Sequence, residues 1–458
     1  MAPRHSGGRV ILRSKTSRRR RGDSRFAPLS ATLTSALQAL AGGLLQPTVI
    51  LASIAFLFGG SAYQVAAFTT AAVVAWALAP LAMSLMQGAT SRTDIIVFAA
   101  SMASVIAALT IGFAAFRIDH LSTGRFLGLL IGGFVVNQVA LALVGQAKSS
   151  LIAGSFPGNV AQRVFRNSRI LATGAALVAG LVGWSVFDSG LPFQQSVRQI
   201  LLLAVLAILA ATWFLFQQQT GRPSPLRFVH APSMPQILGS VRVPAFRRFL
   251  SYKVLLAAAA AVDPFLIVFG FQELGLEVSY LGLALFSVAA GHVVGAVVWP
   301  RWMAGRGPRV PFQLAALFRL ALLLWIVAVP GIASSSLYTD RFDDGTAAMR
   351  GFAVGFALLG LASSAGGAGN QRYLMAITRT GALPGATMAS NLVMAIVGFG
   401  PLVVARLLDD VSLERMLWGA AVCAGLALIA SGLLVESSVR VKSPVGSWRA
   451  TRQATNSV

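Results

Sequence analysis

The chain has 458 residues, 56% hydrophobic and 11% charged, with a mean hydropathy of +0.74. A soluble domain carries roughly 25% charged residues, so this composition excludes an ordinary soluble enzyme and a disordered chain and leaves a protein solvated mainly by lipid. The net charge of +23 comes from 37 Lys and Arg against 14 Asp and Glu, and a single cysteine, Cys423, excludes a disulfide framework or a cysteine-built metal site.

Residues 1–28 form a basic tail with the run SRRRRGDSRF. The tail is expected to anchor orientation beside anionic lipid. The long apolar run after it reads as a first span, not as a cleavable segment. No aromatic-interleaved module accompanies the arginines, so nucleic acid is not an expected partner.

A transmembrane helix needs about 20 mostly apolar residues. Twelve such runs follow in chain order: 29–57, 63–86, 95–116, 126–146, 169–187 and 199–216, then 249–272, 279–300, 312–330, 350–369, 386–408 and 415–435. Residues 217–248 form a central loop and 436–458 a second tail. The even-numbered connections and both tails carry most of the Lys and Arg, including Lys148, Arg247, Arg248, Lys253, Arg301, Arg306 and Arg309. The opposite side holds Arg117, Arg125, Arg198, Arg341, Arg350, Arg406 and Arg415, together with acids such as Asp340, Asp343, Asp344, Asp409, Asp410 and Glu414. The positive-inside rule then puts both termini, the central loop and the C-terminal tail in the cytoplasm.

The two halves echo each other. Gln46-Pro47 in span 1 answers Asp263-Pro264 in span 7 at an offset of 217, and Tyr63 answers Tyr280 at the same offset. Pro157-Gly158 answers Pro384-Gly385 at an offset of 227, the longer 9–10 connection absorbing the difference. Six spans followed by six in the same orientation make a parallel repeat about the membrane normal, with residues 29–216 and 249–435 as its two bundles.

The stretches FRRFLSYKVLLAAAAAVDPFLIVFGFQELGLEVSYLGLALF (246–286) and VVGAVVWPRWMAGRGPRV (293–310) resemble the major facilitator superfamily. The second is similar to that family's 8–9 loop, G-x-L-A-D-R-x-G-R-R, keeping Arg301, Gly307 and Arg309 but carrying Pro300 for the first glycine and Ala304 for the acid. The 2–3 loop keeps only Gly88 and Arg92. The resemblance implies an all-α polytopic membrane protein of twelve transmembrane helices in two six-helix bundles, with spans 1, 4, 7 and 10 lining a central cavity. It also implies a charge lock at the cytoplasmic loops, which Ala304 removes. Gly174, Gly180 and Gly183 in span 5 resemble the glycine–proline motif of the family's antiporters without its proline.

A charge inside a bilayer costs about 2.5–3.5 kcal/mol on insertion scales, so each one is a functional candidate. Asp263 is the acid well inside a span, fifteen residues or about 22 Å of helix past Arg248. It is expected to bind a cationic group or to carry a proton; the alternative is a permanently neutral or paired aspartate beside a proline-broken turn. Pro47 and Pro264 each remove a helical hydrogen bond, marking breaks at the repeat interface or static kinks. Gln46, equivalent to Asp263, is expected as a neutral counterpart across the cavity. In span 4, Asn137 is expected to face the cavity and Gln138 to pack. Gln38, Asn391 and His292 are expected to bond neighbouring helices, and Arg319 to snorkel or pair with a carbonyl. The glycines of Ser363–Gly369 are expected to allow close helix packing, since no strand precedes them and no Lys-Ser/Thr follows.

No metalloprotease, nucleophile-elbow or ATP-binding motif is present, so the chain is expected not to be an enzyme and to need no cofactor. The expectation is a monomeric secondary transporter of a small solute in a bacterial inner membrane, working by alternating access and driven by a solute or proton gradient. The alternative is a membrane scaffold or assembly factor that kept the fold and lost transport.

Overall fold

The protein is described here by a computed structural model covering residues 26–89, 93–155, 158–219, 232–302, 306–339, 345–378 and 382–435. Most of the basic tail, the C-terminal tail, Arg92, Pro157, Ala304, Asp340, Asp343 and Asp344 lie outside the described residues. The described residues are helical throughout, and twelve helical segments are long and apolar enough to cross a membrane.

The first six spans are built from α1 (Phe26–Leu44), a π-helical turn (Pro47–Leu51), α2 (Ala52–Leu57), α3 (Ala62–Ala89), α4 (Thr93–Phe116), α5 (Thr123–Ser155), α6 (Gly158–Phe187) and α7 (Phe193–Gln219). A short amphipathic helix, α8 (Met234–Arg242), precedes the last six. These comprise α9 (Pro244–Ala260), α10 (Asp263–Leu274), α11 (Ser279–Trp302), α12 (Val310–Ala333), a single turn α13 (Ser336–Thr339), α14 (Thr346–Ile377), α15 (Leu383–Val397), α16 (Gly400–Leu407) and α17 (Leu413–Gly432).

Three expectations about boundaries are corrected. The central loop 217–248 is partly helical. Gln236 Oε1 accepts from the Ser233 N–H at 3.0 Å to start α8, and span 7 already begins at Pro244, whose missing N–H suits a first helical turn. Spans 4 and 5 extend past their apolar runs, to Ser155 and from Gly158, because polar residues continue the helices after the hydropathy falls. Span 11 is broken rather than continuous: α15 ends at Val397 and α16 begins at Gly400, with Pro401 in its first turn.

Packing partners repeat along the chain. Spans 1 and 6, 2 and 4, 3 and 4, and 3 and 6 pack together, and so do spans 7 and 12, 8 and 10, 9 and 10, and 9 and 12. The first six spans meet the last six mainly through α6 against α11 and α3 against α15 and α16. Small residues permit this approach, since helix association in lipid depends on van der Waals contact between backbones. A Cβ on Gly282 would lie 2.5 Å from the Cα of Trp184, and one on Gly180 2.9 Å from the Cα of Phe286. Trp184 and Phe286 seal the same contact with ring centroids 5.4 Å apart.

The buried apolar core is lopsided. One continuous cluster joins both sets of spans in the halves distant from the basic loops, running through Val49–Ala52, Ile111, Phe134, Leu201, Phe265–Phe269, Leu322 and Phe352. In the basic halves the buried clusters separate. One gathers Met83, Ile96, Val97 and Val144 from the first six spans, and another Phe249, Tyr252, Phe312 and Tyr373 from the last six. The outward-facing surface exposes Ile106, Leu206, Val422 and Ile429, as a lipid-facing shell requires.

Gly282→Val forces α6 and α11 apart and should lower stability by about 1–3 kcal/mol. Gly425→Val, which meets nothing within 4 Å, should leave it unchanged. Thermal unfolding of the two purified variants beside the parent checks the contrast.

Candidate functional site

Span 7 breaks where its sequence carries Asp263-Pro264. Pro264 has no N–H to donate, so the ladder stops: the Ala261 N–H turns back to the Ala258 carbonyl at 3.2 Å, and the Phe265 N–H to that of Val262 at 2.9 Å. The break starts a new helix, α10, with Asp263 as its first residue. A carboxylate there lies at the positive end of the α10 dipole.

Arg319 of α12 meets that carboxylate. Its Nη1 donates to Oδ1 and its Nη2 to Oδ2, the latter at 3.0 Å, forming a fork-to-fork ion pair whose side chains are each 9% exposed. The expectation for Arg319 is therefore corrected: its partner is Asp263, not the lipid interface or a carbonyl. The cation beside Asp263 is the protein's own. Arg319 Nε is buried without a hydrogen-bond partner.

The pair borders a cavity of about 410 Å³. Span 7 supplies Tyr252, Lys253, Leu256, Ala257, Ala260, Ala261 and Asp263 to its wall, and α12 supplies Phe312, Ala315 and Arg319. From α14 come Ala362, Ser363, Gly366, Gly367 and Asn370, and from span 11 Met394, Val397, Gly398 and Pro401. The first six spans contribute Thr69 and Val73 of α3. The glycines of Ser363–Gly369 thus do two jobs. Gly366 and Gly367 open the wall, while a Cβ on Gly369 would stand 2.7 Å from Pro311, as close packing demands.

Lys253 is a cavity residue, a correction to its placement among the cytoplasmic charges. It sits nine residues into α9, ten before Asp263, which is about 15 Å of helix rise. Its Nζ donates to Ser390 Oγ of α15 at 2.9 Å and lies 5.6 Å from the centre of the Phe249 ring. Tyr252 donates its hydroxyl to the Phe312 carbonyl at 2.9 Å, tying α9 to α12 in the cavity wall. Thr69 Oγ1 and Asn370 Oδ1 are buried and unpartnered.

The other candidates are placed elsewhere. Gln46 caps the π-helical turn: its Oε1 accepts from the Thr48 N–H at 2.9 Å and the Thr48 hydroxyl at 3.1 Å. Pro47 is the turn's first residue. The side chain expected across the cavity is thereby used locally, and Gln46 does not line the wall. Asn137 is 1% exposed and accepts from Ser104 Oγ at 3.0 Å, linking spans 3 and 4 inside the first six-span set, so it too is absent from the wall. His292 faces Ser363 at 3.4 Å. In the 8–9 connection, Arg301 is exposed at the end of α11, Gly307 lies in the turn and Arg309 caps α12; Arg306 stacks over the Trp302 ring at 3.8 Å.

No family model and no curated protein matches the chain. Solved structures do. A mutant of the nucleoside transporter NupG superimposes with a TM-score of 0.65 at 12% identity, covering 90% of this chain and 100% of its own. A D-xylose-proton symporter gives 0.59 at 14%, covering 91% and 98%. The major facilitator transporter FucP in its outward conformation gives 0.56 at 14%, covering 90% and 99%. The chain is a multi-pass membrane protein with the major facilitator transporter fold.

Removing one member of a buried pair strands the other charge, at about 3–5 kcal/mol. Arg319→Gln should therefore lower the melting temperature sharply, and the neutral pair Asp263→Asn with Arg319→Gln should recover much of that loss. A double-mutant cycle on thermal unfolding checks this; additive losses would mean that the two groups do not interact.

Proposed function

We propose that this protein is a secondary active transporter, moving a small solute through the membrane by alternating access. The observation that carries this reading is the lopsided core. A continuous apolar seal closes one end across both sets of spans, while at the basic end the buried clusters part and the cavity lies between α3 and the last six spans. A volume of about 410 Å³ falls within the ~300–1,000 Å³ range of small-molecule sites. With the basic end cytoplasmic, this is the inward-facing state, and residues 29–216 and 249–435 are the two bodies that rock. The membrane is a bacterial inner membrane, and a monomer suffices because the cavity is completed within one chain. That the solved neighbours include a D-xylose-proton symporter supports energisation by a gradient.

Asp263 is the proton-coupling group in this reading, with Arg319 as its partner. A proton on Asp263 cancels the attraction that holds α10 to α12, so protonation and helix movement are linked through one contact.

A solute that raises the melting temperature of the purified protein should also exchange across proteoliposomes carrying it. Binding without exchange would make the chain a receptor or scaffold. For the coupling role, the neutral pair Asp263→Asn with Arg319→Gln should keep solute counterflow and lose accumulation driven by a pH gradient; retained accumulation removes Asp263 from coupling. For orientation, a membrane-impermeant thiol reagent applied to whole cells lacking Cys423 should label Asp410→Cys and spare Pro235→Cys. The reverse pattern inverts the topology.

A further inference from the structure

We propose that the solute is an amphipathic monocarboxylate whose head group pairs with Lys253. The proposal rests on the transporter reading and names its substrate class.

Charge in the cavity does not balance. Its wall carries two cations, Lys253 and Arg319, and one acid, Asp263. The fork-to-fork pair commits Arg319 to Asp263 and uses both carboxylate oxygens. Lys253 is left with a neutral hydroxyl, Ser390, for one of its three donors and a ring face nearby. Of the other described acids, Asp94 is the second residue of α4 in the first six spans, and Asp119, Asp188, Glu273, Glu277, the Asp409–Asp410 pair and Glu414 follow the odd-numbered spans at the far end of the bundle. A half-buried ammonium among apolar side chains, with no counter-charge among the described residues, is a site for an anion.

The number of charges and the nature of the wall narrow the class. One uncommitted cation matches one negative charge. A dianionic phosphate would call for a second cation or a bidentate guanidinium, and the guanidinium here is taken. Beyond Lys253 the wall is built from Leu256, Ala257, Ala260, Met394 and Val397. A sugar would need many hydrogen-bonding partners. Outside the ion pair, the cavity shows the unpartnered Thr69 hydroxyl, 7% exposed, and the Asn370 amide oxygen, while Ser363 already donates to the Gly360 carbonyl at 2.9 Å. An apolar body with a single carboxylate and one or two further polar atoms fits this wall.

The test compares acids with their neutral amides on the full-length protein in detergent. Benzoate and hexanoate should raise the melting temperature in a saturable way, and benzamide and hexanamide should not. Lys253→Gln should abolish the rise and Lys253→Arg should keep part of it. Equal stabilisation by amides, stronger stabilisation by phenyl phosphate, no response to either acid, or a rise that survives in Lys253→Gln would each overturn the proposal. Should Lys253→Gln fail to fold, the acid–amide comparison on the parent and on Lys253→Arg decides it. The two readings fail separately. A neutral solute that binds parent and Lys253→Gln alike and exchanges across liposomes overturns the carboxylate and leaves transport. A carboxylate that binds through Lys253 but never exchanges leaves the anion site and overturns transport.

Discussion

Everything at the centre of this protein is arranged around a carboxylate that lipid would otherwise forbid. Asp263 is accommodated in the middle of a span because Arg319 meets both of its oxygens and because the broken helix aims the start of α10 at it. Each partner requires the other, since a buried charge left alone costs more than the pair contributes. The pair therefore acts as a constraint, fixing the break of span 7 against α12 and setting the depth at which the cavity ends. The proline next to the acid makes the geometry possible. Without the interruption, the carboxylate would sit on a continuous helix with no free helix terminus beside it.

The apolar packing turns this fixed point into an asymmetric molecule. Helices in lipid gain little from hydrophobic contact with each other and depend on close backbone approach. The tightest approaches between α6 and α11, at Gly180, Gly183 and Gly282, all lie near one end. At the other end each set of spans keeps its own core, as in the aromatic cluster of Phe249, Tyr252, Phe312 and Tyr373. Two separately packed bodies joined at one end are what a rocking motion needs. In the proposed cycle, each core moves as a unit while the seam between them opens and closes.

How much of this the sequence reveals follows from which constraints are local. Lipid demands a long apolar run for every crossing, so all twelve spans are legible one by one, and the architecture follows from counting them. The interruption at Pro264 is legible for the same reason, being a property of one residue's missing N–H. The Asp263–Arg319 contact is not, because 56 residues separate the partners and hydropathy says nothing about the rotation of one helix against another. Lys253 falls inside span 7 as read from the sequence, 249–272, yet is counted there with the loop charges because it follows Arg247 and Arg248; the helix, starting at Pro244, carries it nine residues in. The Gly398-Phe399-Gly400-Pro401 signal for the break in span 11 is present in the sequence but hidden inside an apolar run. Gln46 shows the limit of arguing from repeat symmetry, and Asn137 that of arguing from which spans line the cavity, since each finds a partner within its own half.

That limit bears on mechanism. A symmetric pair of bundles invites the idea that a solute is held equally by both, but the wall of this cavity is drawn almost wholly from the last six spans, with Thr69 and Val73 as the contribution of the first six. The charged contacts have the same bias: Asp263 with Arg319 and Lys253 with Ser390 both lie within that set. In the proposed cycle, a rocking of the first six spans changes the α3 side of the wall, while the charge arrangement of the last six changes through the α10–α12 contact when Asp263 takes a proton. In the proposed transporter, recognition and access are then separable, with one half holding the solute while the other decides which side of the membrane it meets. In the same reading, the unpartnered Thr69 hydroxyl sits at the boundary between these roles, where a bound solute would touch the half that moves.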